Sequence, residues 1–422
     1  MTLAKTRFPS SRPSPLVFFE PEHGGHQLSY VRHLTEEWVQ DCHIRSIVFA
    51  INDTLAARIR DTDWWMAASA AGASIVSIPP DVTTKCTSGH LVARAFACWS
   101  TMRTIMGECR AMHGVFLHLD HLQVPLAWPV WAMAPSSVSG LLFRPSVHYR
   151  QTLHTACTPK ERLRDLRKRV AYRLMFRNPV LHRVFTFDHA FSDYARIKYP
   201  QGFKACAIPD PAPRISTHPP TPEATRILNA IPSGRVVFLL FGALARRKGL
   251  LQTLDALAVT PPPVIDRIAV VFAGRMADDI RAEVSQRVVH LRATKPHLAI
   301  QIRDAFIDDP TLASLIRNAD VVLAPYQRFV GSSGVLVSAA AAHRPVITQD
   351  YGLVGALVRQ YQLGIAIDTT DPSAISTSMS QMVVAADGPC PWPTDGMDSF
   401  VATQDARGFA SALLNAPEPE CS

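Results

Sequence analysis

One segment in the second half of the chain constrains the fold more than any other. A mainly apolar stretch at 319–326 is followed by a Gly/Ser turn at 330–334, a small-residue stretch at 337–342 and a stretch at 343–347 that ends in Pro-Val-Ile. This order predicts a buried strand, a tight turn, a helix whose first residues are 331–334, and a second buried strand. Backbone N–H groups and the positive end of the helix dipole converge at such a turn. The segment therefore predicts a phosphate-binding βαβ unit, without the Lys-Ser/Thr pair of a P-loop.

Strand-like and helix-like patterns alternate along most of the remaining chain. Short apolar runs predict strands at 16–19, 44–50, 74–78, 114–119, 139–143, 236–241, 268–273 and 300–302. Longer stretches with apolar residues at helical spacing predict helices between them, for example at 91–106, 250–258 and 276–294. Alternation of this kind is typical of a parallel α/β sheet with helices on both faces.

Prolines recur through one stretch in the middle of the chain, from 209 to 222, and predict a linker there. We expect one Rossmann-like domain at 15–208 and a second one at 223–395. The segment 396–422 is predicted to be partly helical and to pack back on the first domain. The chain has 422 residues, which is long enough for two full hydrophobic cores with a cleft between the domains.

Composition indicates which binding partners and which cellular compartment the protein favours. The net charge of +8 favours anionic partners such as nucleotides, phospholipid headgroups or nucleic acid, although solubility accounts for it equally well. Eight cysteines lack CxxC pairs or zinc spacing, a pattern that fits a reducing cytoplasm and predicts no metal site. The chain shows no signal peptide and no run of about 20 apolar residues, so we expect a soluble or peripheral protein.

Several motifs of the second half occur in an order found in one enzyme family. Residues 241–250 read Phe-Gly-Ala-Leu-Ala-Arg-Arg-Lys-Gly-Leu, a strand end, a glycine turn and a Lys-Gly pair before a helix. The stretches 304–307, 312–325 and 331–347 follow. Together they resemble the nucleotide-sugar-binding domain of GT-B glycosyltransferases, specifically the retaining family 4-like group. The resemblance covers about residues 230–370 and implies two Rossmann-like domains in the whole chain.

The resemblance implies transfer of a sugar from a nucleoside-diphosphate-sugar donor to a hydroxyl of a saccharide or lipid-linked acceptor, with retention of configuration. No metal or other cofactor is implied, because cationic side chains and helix N-termini neutralise the leaving diphosphate in this family. It places Lys248 on the diphosphate, with Arg246 or Arg247 as a second cation. The donor-binding residues implied in this way are Gly242, Arg246, Arg247, Lys248, Phe306, Ile307, Arg328, Ser332, Ser333, Gly334, Val335 and Ser338.

Two positions depart from the family pattern. Val330 and Ser338 stand where the family carries glutamates that contact the donor sugar and the ribose hydroxyls. Because the phosphate-binding parts remain, we favour an active transferase. Two alternatives stay open. One is a nucleotide-sugar epimerase of the same fold. The other is a non-catalytic sugar- or nucleotide-binding subunit, which the absence of the two glutamates favours.

Polar side chains in the first half follow predicted strands. His118 and Asp120 follow one apolar run, and His26 follows Gly24 and Gly25 in a loop resembling the one that the family turns toward its acceptor. Because catalytic groups collect at the carboxyl ends of parallel strands, we predict that His26, His118 and Asp120 orient or deprotonate an acceptor hydroxyl. A surface or capping role accounts equally well for His118 and Asp120.

The segment 160–183 holds nine Lys and Arg residues with apolar residues interleaved. One interpretation is an amphipathic helix on an anionic membrane surface, where lipid-linked acceptors reside, and the other is a solvated basic face. Nucleic-acid binding is not favoured, because no recognition motif accompanies the charge. We therefore predict a cytoplasmic protein, with peripheral contact to the inner face of the membrane under the first interpretation.

Overall fold

A computed structural model of the protein describes residues 14–22, 27–41, 45–128, 136–149, 159–211, 219–388 and 391–416. The chain divides into two compact units. The N-terminal unit comprises 1–211 and 405–422, and the C-terminal unit comprises 212–404. The boundary at 211 and 212 falls inside the Pro-rich stretch, whereas the C-terminal unit continues beyond the predicted end at 395.

The described part of the N-terminal unit contains a seven-stranded parallel sheet of order β3-β2-β1-β4-β5-β6-β7. Its strands are β1 (Leu16–Glu20), β2 (Ile47–Asn52), β3 (Ser74–Ile78), β4 (His113–Phe116), β5 (Ser137–Leu141), β6 (Leu181–Thr186) and β7 (Ala205–Ala207). Its first helices are α1 (Gln27–Gln40), α2 (Asp53–Arg60), α3 (Asp63–Ala71), α4 (Pro80–Thr87) and α5 (Leu91–Cys109). The helices α6 (Gln123–Ala127), α7 (Pro159–Arg177) and α8 (His189–Lys198) follow.

The described part of the C-terminal unit contains a six-stranded parallel sheet of order β10-β9-β8-β11-β12-β13. Its strands are β8 (Val236–Phe241), β9 (Ile268–Ala273), β10 (Ala299–Arg303), β11 (Val321–Ala324), β12 (Val346–Gln349) and β13 (Gly364–Ile367). Its first helices are α9 (Pro222–Asn229), α10 (Leu250–Val259), α11 (Pro262–Ile265), α12 (Asp278–Thr294) and α13 (Asp309–Asn318). The helices α14 (Gly334–Ala341), α15 (Gly352–Tyr361), α16 (Pro372–Ala385) and α17 (Thr394–Ala402) complete it.

The end of the chain returns to the N-terminal unit. The last helix, α18 (Ala406–Leu414), packs against α1, where the ring of Phe409 lies 4.9 Å from that of Tyr30. By contrast, α17 packs on α14 and α15 in the C-terminal unit. The helical segment expected at the C-terminus is thus two helices that belong to different units.

Both sheets are buried on their two faces, as the continuous apolar runs predict. In β1, Phe18 stacks on Phe49 of β2 at 5.4 Å, while Phe19 meets Phe116 of β4 at 5.5 Å on the opposite face. The predicted α/β architecture of two Rossmann-like domains is confirmed. Among the described residues, no helix is both long and apolar enough to span a membrane.

Two element boundaries differ from the sequence prediction for identifiable reasons. The helix expected from Met276 begins at Asp278, because Met276 forms a β-bridge with Leu244 and the N–H of Ala277 donates to the carbonyl of Leu244. The phosphate-turn helix begins at Gly334, with Ser333 as its extended N-cap residue. Gly331 and Ser332 therefore precede the helix and do not form its first turn.

Candidate active site

Each sheet reverses its strand order at one point, and polar residues follow the strands there. In the C-terminal sheet the reversal lies between β8 and β11, and in the N-terminal sheet between β1 and β4. Ligands of open α/β sheets bind at the carboxyl ends of the strands next to such a reversal. The loops after these four strands hold most of the predicted site residues.

Lys248 is a buried cation in the loop after β8. It ends the 3₁₀ turn Arg246–Lys248 and is 8% exposed. Its Nζ donates to the Tyr326 hydroxyl at 3.2 Å and lies 4.9 Å from the centroid of that ring. Burial of an ammonium group is costly unless polar partners or an anion compensate it, so this position indicates a ligand-facing role.

The Tyr326 hydroxyl connects Lys248 to the N-terminus of α14. Its oxygen lies 2.6 Å from the Ser333 hydroxyl, and Ser333 is the N-cap residue of α14. Gly242 lies beside the same ammonium group: its φ is +90°, and a Cβ there would lie 3.6 Å from Lys248 Nζ. A buried cation, two hydroxyls and a helix N-terminus thus converge, which is a suitable arrangement for binding phosphate.

Side-chain hydrogen bonds fix the loop that carries Tyr326. The Thr369 hydroxyl donates to the Tyr326 carbonyl at 2.5 Å, and the Gln327 amide donates to the Thr369 carbonyl at 2.8 Å. Buried Gln349, at the end of β12, accepts the Phe329 N–H at 3.1 Å and donates to the Tyr351 carbonyl at 2.9 Å. These bonds fix the conformation of the loop between β11 and α14. They therefore keep the Tyr326 and Ser333 hydroxyls within hydrogen-bond distance.

The structure separates the predicted cations from one another. The Arg246 guanidinium pairs with Glu283 of α12 and lies 3.7 Å from Asp279. Arg247 lies over the Phe329 ring at 5.4 Å, and exposed Arg328 has a left-handed φ of +52°. Lys248 is the cation whose contact with Tyr326 positions it at the N-terminus of α14.

The remaining predicted donor residues lie at different depths. The Phe306 side chain is 78% exposed in the loop after β10, whereas Ile307 is half-buried against the core of the C-terminal unit. Val335 and Ser338 are buried in α14. An exposed aromatic ring at the carboxyl edge of the sheet is available for stacking on a base.

The reversal point of the N-terminal sheet carries a cluster of acids around His118. Nε2 of His118 lies 3.4 Å from Asp120, and its Nδ1 lies 4.0 Å from Glu22. Asp120 also accepts the backbone N–H groups of Phe143 at 2.9 Å and Arg144 at 2.8 Å. His118 and Asp120 therefore contact each other. The loop residues Gly24, Gly25 and His26 lie outside the described residues.

Asp120 and His118 favour each other's charged forms. Burial alone would lower the pKa of His118, but the hydrogen bond and charge of Asp120, with the charges of Glu20 and Glu22, raise it above 6.5. Burial likewise opposes ionisation of Asp120, yet His118 and the Phe143 N–H lower the pKa of that carboxyl. The Asp120 carboxylate and the His118 imidazolium thus stabilise each other.

We expect Asp120→Asn to lower the pKa of His118, because burial is then opposed only by the charges of Glu20 and Glu22. The charge on His118 is lost as pH rises through its pKa, so the variant loses it at a lower pH than the wild type. An NMR titration of the imidazole resonances measures this, with exposed His297 as the internal control. An unchanged His118 titration in the variant would contradict the pairing.

Glu20 is a buried carboxyl that sequence analysis did not select. It ends β1 and accepts the Glu22 N–H at 2.9 Å. Burial, opposed by that hydrogen bond and by His118, raises its pKa from 4.5 to about 7. Glu20 therefore holds its proton far above the usual pH range of a carboxyl group, next to the charged His118–Asp120 pair.

Glu20→Gln should remove a pH dependence of stability. Because the folded pKa is raised, the stabilisation by protonated Glu20 is complete below pH 4.5 and is lost as pH rises to about 7. The free energy of unfolding of the wild type falls by about 3 kcal/mol over this pH range. Glutamine stays neutral, so the variant does not show this fall. Urea unfolding across this pH window measures the difference. Glu108→Gln, at an exposed position of α5, is the control and should retain the wild-type profile.

The described residues hold no group of three or more His, Cys, Asp and Glu side chains placed to bind a metal ion. The candidate donor site instead offers a lysine, hydroxyls and a helix N-terminus. These are ligands for an anion.

Comparison with known proteins identifies the C-terminal unit. The model of the family described as glycosyl transferases group 1 matches residues 235–385. This stretch is therefore similar to the group 1 glycosyl transferases. The match includes β8, the Lys248 turn, β11, α14 and β12, which carry the candidate donor site.

Solved structures extend the similarity over the whole chain. WaaG, a glycosyltransferase involved in lipopolysaccharide biosynthesis, shares 13% identity over 96% of this chain and 100% of its own, with a TM-score of 0.63. Sucrose-phosphate synthase from Thermosynechococcus elongatus shares 15% identity over 96% of this chain and 98% of its own, with a TM-score of 0.66. Anabaena HepE in complex with UDP and glucose shares 12% identity over 96% of this chain and 99% of its own, with a TM-score of 0.64. At these identities the similarity shows the fold, which is GT-B. A search of curated protein sequences finds no significant match.

Two residues of the candidate site were missed by sequence reasoning. Tyr326 directly follows Pro325 after β11, and its place at a strand end was a usable signal. Gln349 is a polar residue that ends the apolar run of β12. Its role depends on the distance between its side chain and Phe329, which the sequence does not contain.

Proposed function

We propose that the protein transfers a sugar from a nucleoside-diphosphate-sugar to a hydroxyl of a saccharide or lipid-linked saccharide, with retention of configuration. The observation that carries the proposal is the buried Lys248 ammonium, linked through Tyr326 to the N-terminus of α14. A group of this kind stabilises a diphosphate as it leaves and gains negative charge. The similarity to group 1 glycosyl transferases supports the same reading.

The roles divide between the two units. In the C-terminal unit, Lys248 and the first turn of α14 hold the diphosphate, the 306–307 segment contacts the base, and Ser338 contacts the ribose. In the N-terminal unit, the Asp120 carboxylate and His118 orient the acceptor hydroxyl or take up its proton. The proposal needs no metal or other cofactor, because the cationic groups provide the charge stabilisation.

The first donor to test is a uridine nucleotide. HepE was solved with UDP and glucose and also with UDP-glucose, and it shares the fold of this chain. The proposal places the reaction in the cytoplasm, with peripheral contact between the 160–183 segment and an anionic membrane that holds the acceptor. A hexose is the expected transferred sugar.

Binding and turnover test the proposal separately. Calorimetry with UDP and UDP-glucose is expected to show binding to the full chain, and incubation with a pool of saccharide and lipid-linked acceptors is expected to release UDP. Donor converted to an epimer without an acceptor would favour an epimerase. Binding of nucleotides without consumption of any donor would overturn the transferase and favour a non-catalytic subunit.

A further inference from the structure

The outward face of α7 has an unusual composition. From residue 162 to 177 every exposed side chain is either an arginine or apolar. These exposed residues are Arg162, Leu163, Arg164, Leu166, Arg167, Val170, Arg173, Leu174 and Arg177. The one acidic residue in this stretch, Asp165, is buried. From residue 162 to 177 the exposed face therefore combines apolar surface with five positive charges.

The apolar residues form one stripe along the helix. Leu163, Leu166, Val170 and Leu174 follow one another at helical spacing, so their side chains lie on the same side. Each is at least 43% exposed. The arginines lie along both flanks of this stripe, where their long side chains extend outward from the apolar residues.

The stripe is not needed for the hydrophobic core. The opposite side of α7 buries Tyr172, Met175 and Phe176 against the N-terminal sheet. Lys168 donates to Ser146 at 2.9 Å, and Arg169 donates to the Val147 carbonyl at 3.3 Å. These contacts hold the helix in place with its apolar stripe turned to the outside.

Two exposed aromatic residues lie next to the C-terminal end of α7. The Asn178 side chain donates to the Leu126 carbonyl at 3.0 Å, and Lys204 donates to the Asn178 carbonyl at 2.8 Å. These bonds bring the neighbours of Leu126 and Lys204 to this end of the helix. Trp128 is 56% exposed and Phe203 is 61% exposed. Aromatic residues of this kind favour the headgroup region of a bilayer.

We propose that the outward face of α7, with Trp128 and Phe203 at its end, lies on an anionic phospholipid bilayer. The exposed leucines and valine enter the boundary between headgroups and acyl chains, and the flanking arginines pair with lipid phosphates. Charge complementarity selects this partner, since every exposed side chain from residue 162 to 177 is cationic or apolar. The inference rests on the proposed function only in linking the membrane to the acceptor, because lipid binding needs no donor chemistry.

Vesicle flotation tests the surface. The full chain is expected to float with vesicles of equal parts phosphatidylcholine and phosphatidylglycerol, and not with phosphatidylcholine alone. Arg167→Gln with Arg173→Gln should weaken binding to the anionic vesicles roughly 30-fold, since each arginine near the surface contributes a factor of about five. Leu166→Ser with Val170→Ser should weaken it roughly tenfold through lost apolar burial.

The matched control is Val289→Ser with Arg292→Gln, an exposed valine and arginine on α12 of the C-terminal unit. It should bind vesicles like the wild type. Equal binding of all variants, or no flotation of the wild type, would overturn the proposal. A dimer in light scattering that the α7 variants disrupt, without flotation of the wild type, would assign the face to a second copy instead. Calorimetry with UDP on the same samples keeps a failure of this surface distinct from a failure of the donor site.

Discussion

Lys248→Ala is expected to weaken binding of UDP, or of whichever nucleoside diphosphate the wild type binds, by about 100-fold. The substitution removes a buried cation and leaves phosphate oxygens without a charged partner, which costs about 3 kcal/mol. Lys248→Arg should recover only part of this affinity. The space between Gly242 and Tyr326 holds a slender ammonium group, and a guanidinium is larger and planar. Calorimetry gives the dissociation constants.

Two arginine variants make this result specific. Arg292→Ala removes an exposed cation on α12 and should leave the dissociation constant unchanged. Arg246→Ala should change it by less than Lys248→Ala, because the guanidinium of Arg246 is paired with Glu283. A dissociation constant that responds to Arg246→Ala and is unaffected by Lys248→Ala would assign the diphosphate to Arg246 and overturn the role given to Lys248.

Gly249→Ala should destabilise the C-terminal unit by about 4 kcal/mol and displace the loop that carries Lys248. Gly249 has a left-handed φ of +76°, and a Cβ at this position would overlap the carbonyl oxygen of Pro325. The conformational cost for alanine is about 1 kcal/mol, and the overlap with backbone adds the rest. Amide hydrogen exchange of β8 in increasing urea measures the loss.

Gly234→Ala is the matched control for this change. Gly234 lies in the same unit with a φ of +77°, and a Cβ there has no neighbour within 4 Å. Gly234→Ala should lower the stability of the unit only by the cost of a left-handed alanine, about 1 kcal/mol. The difference between the two variants therefore isolates the contact with Pro325. Equal losses in both would show that the loop moves aside without cost.

Local patterns account for most of what the sequence predicts correctly. The apolar runs of β1, β8 and β11 have the length of buried strands, and each is followed by a polar or glycine-rich turn. The periodicity that distinguishes strands from helices is a property of neighbouring residues, so the α/β class and the position of the Gly/Ser turn follow from sequence alone. The family motifs of 241–250 and 331–347 also depend on short range spacing, and the group 1 match confirms them.

Contacts between residues distant in sequence account for the features of the site that the sequence did not predict. Arg246, Arg247 and Lys248 are adjacent in sequence and equivalent as charges, but each faces a different neighbour, because a 3₁₀ turn points successive side chains in different directions. Glu20 appears in the sequence as the polar end of a strand. Its pKa is raised because folding buries the carboxyl, and His118, which lies almost a hundred positions away, offsets only part of that rise.

The sequence by itself thus determined two α/β units, a Gly/Ser turn before a helix and a basic amphipathic segment at 160–183. These properties depend on local periodicity and on the conformational preferences of single residues. Only the tertiary structure showed that Lys248 meets Tyr326 and Ser333, that Glu20 is buried, and that the apolar stripe of α7 faces outward. The physical reason is that burial, pKa and the direction of a side chain depend on which distant segments surround it, and folding brings those segments together.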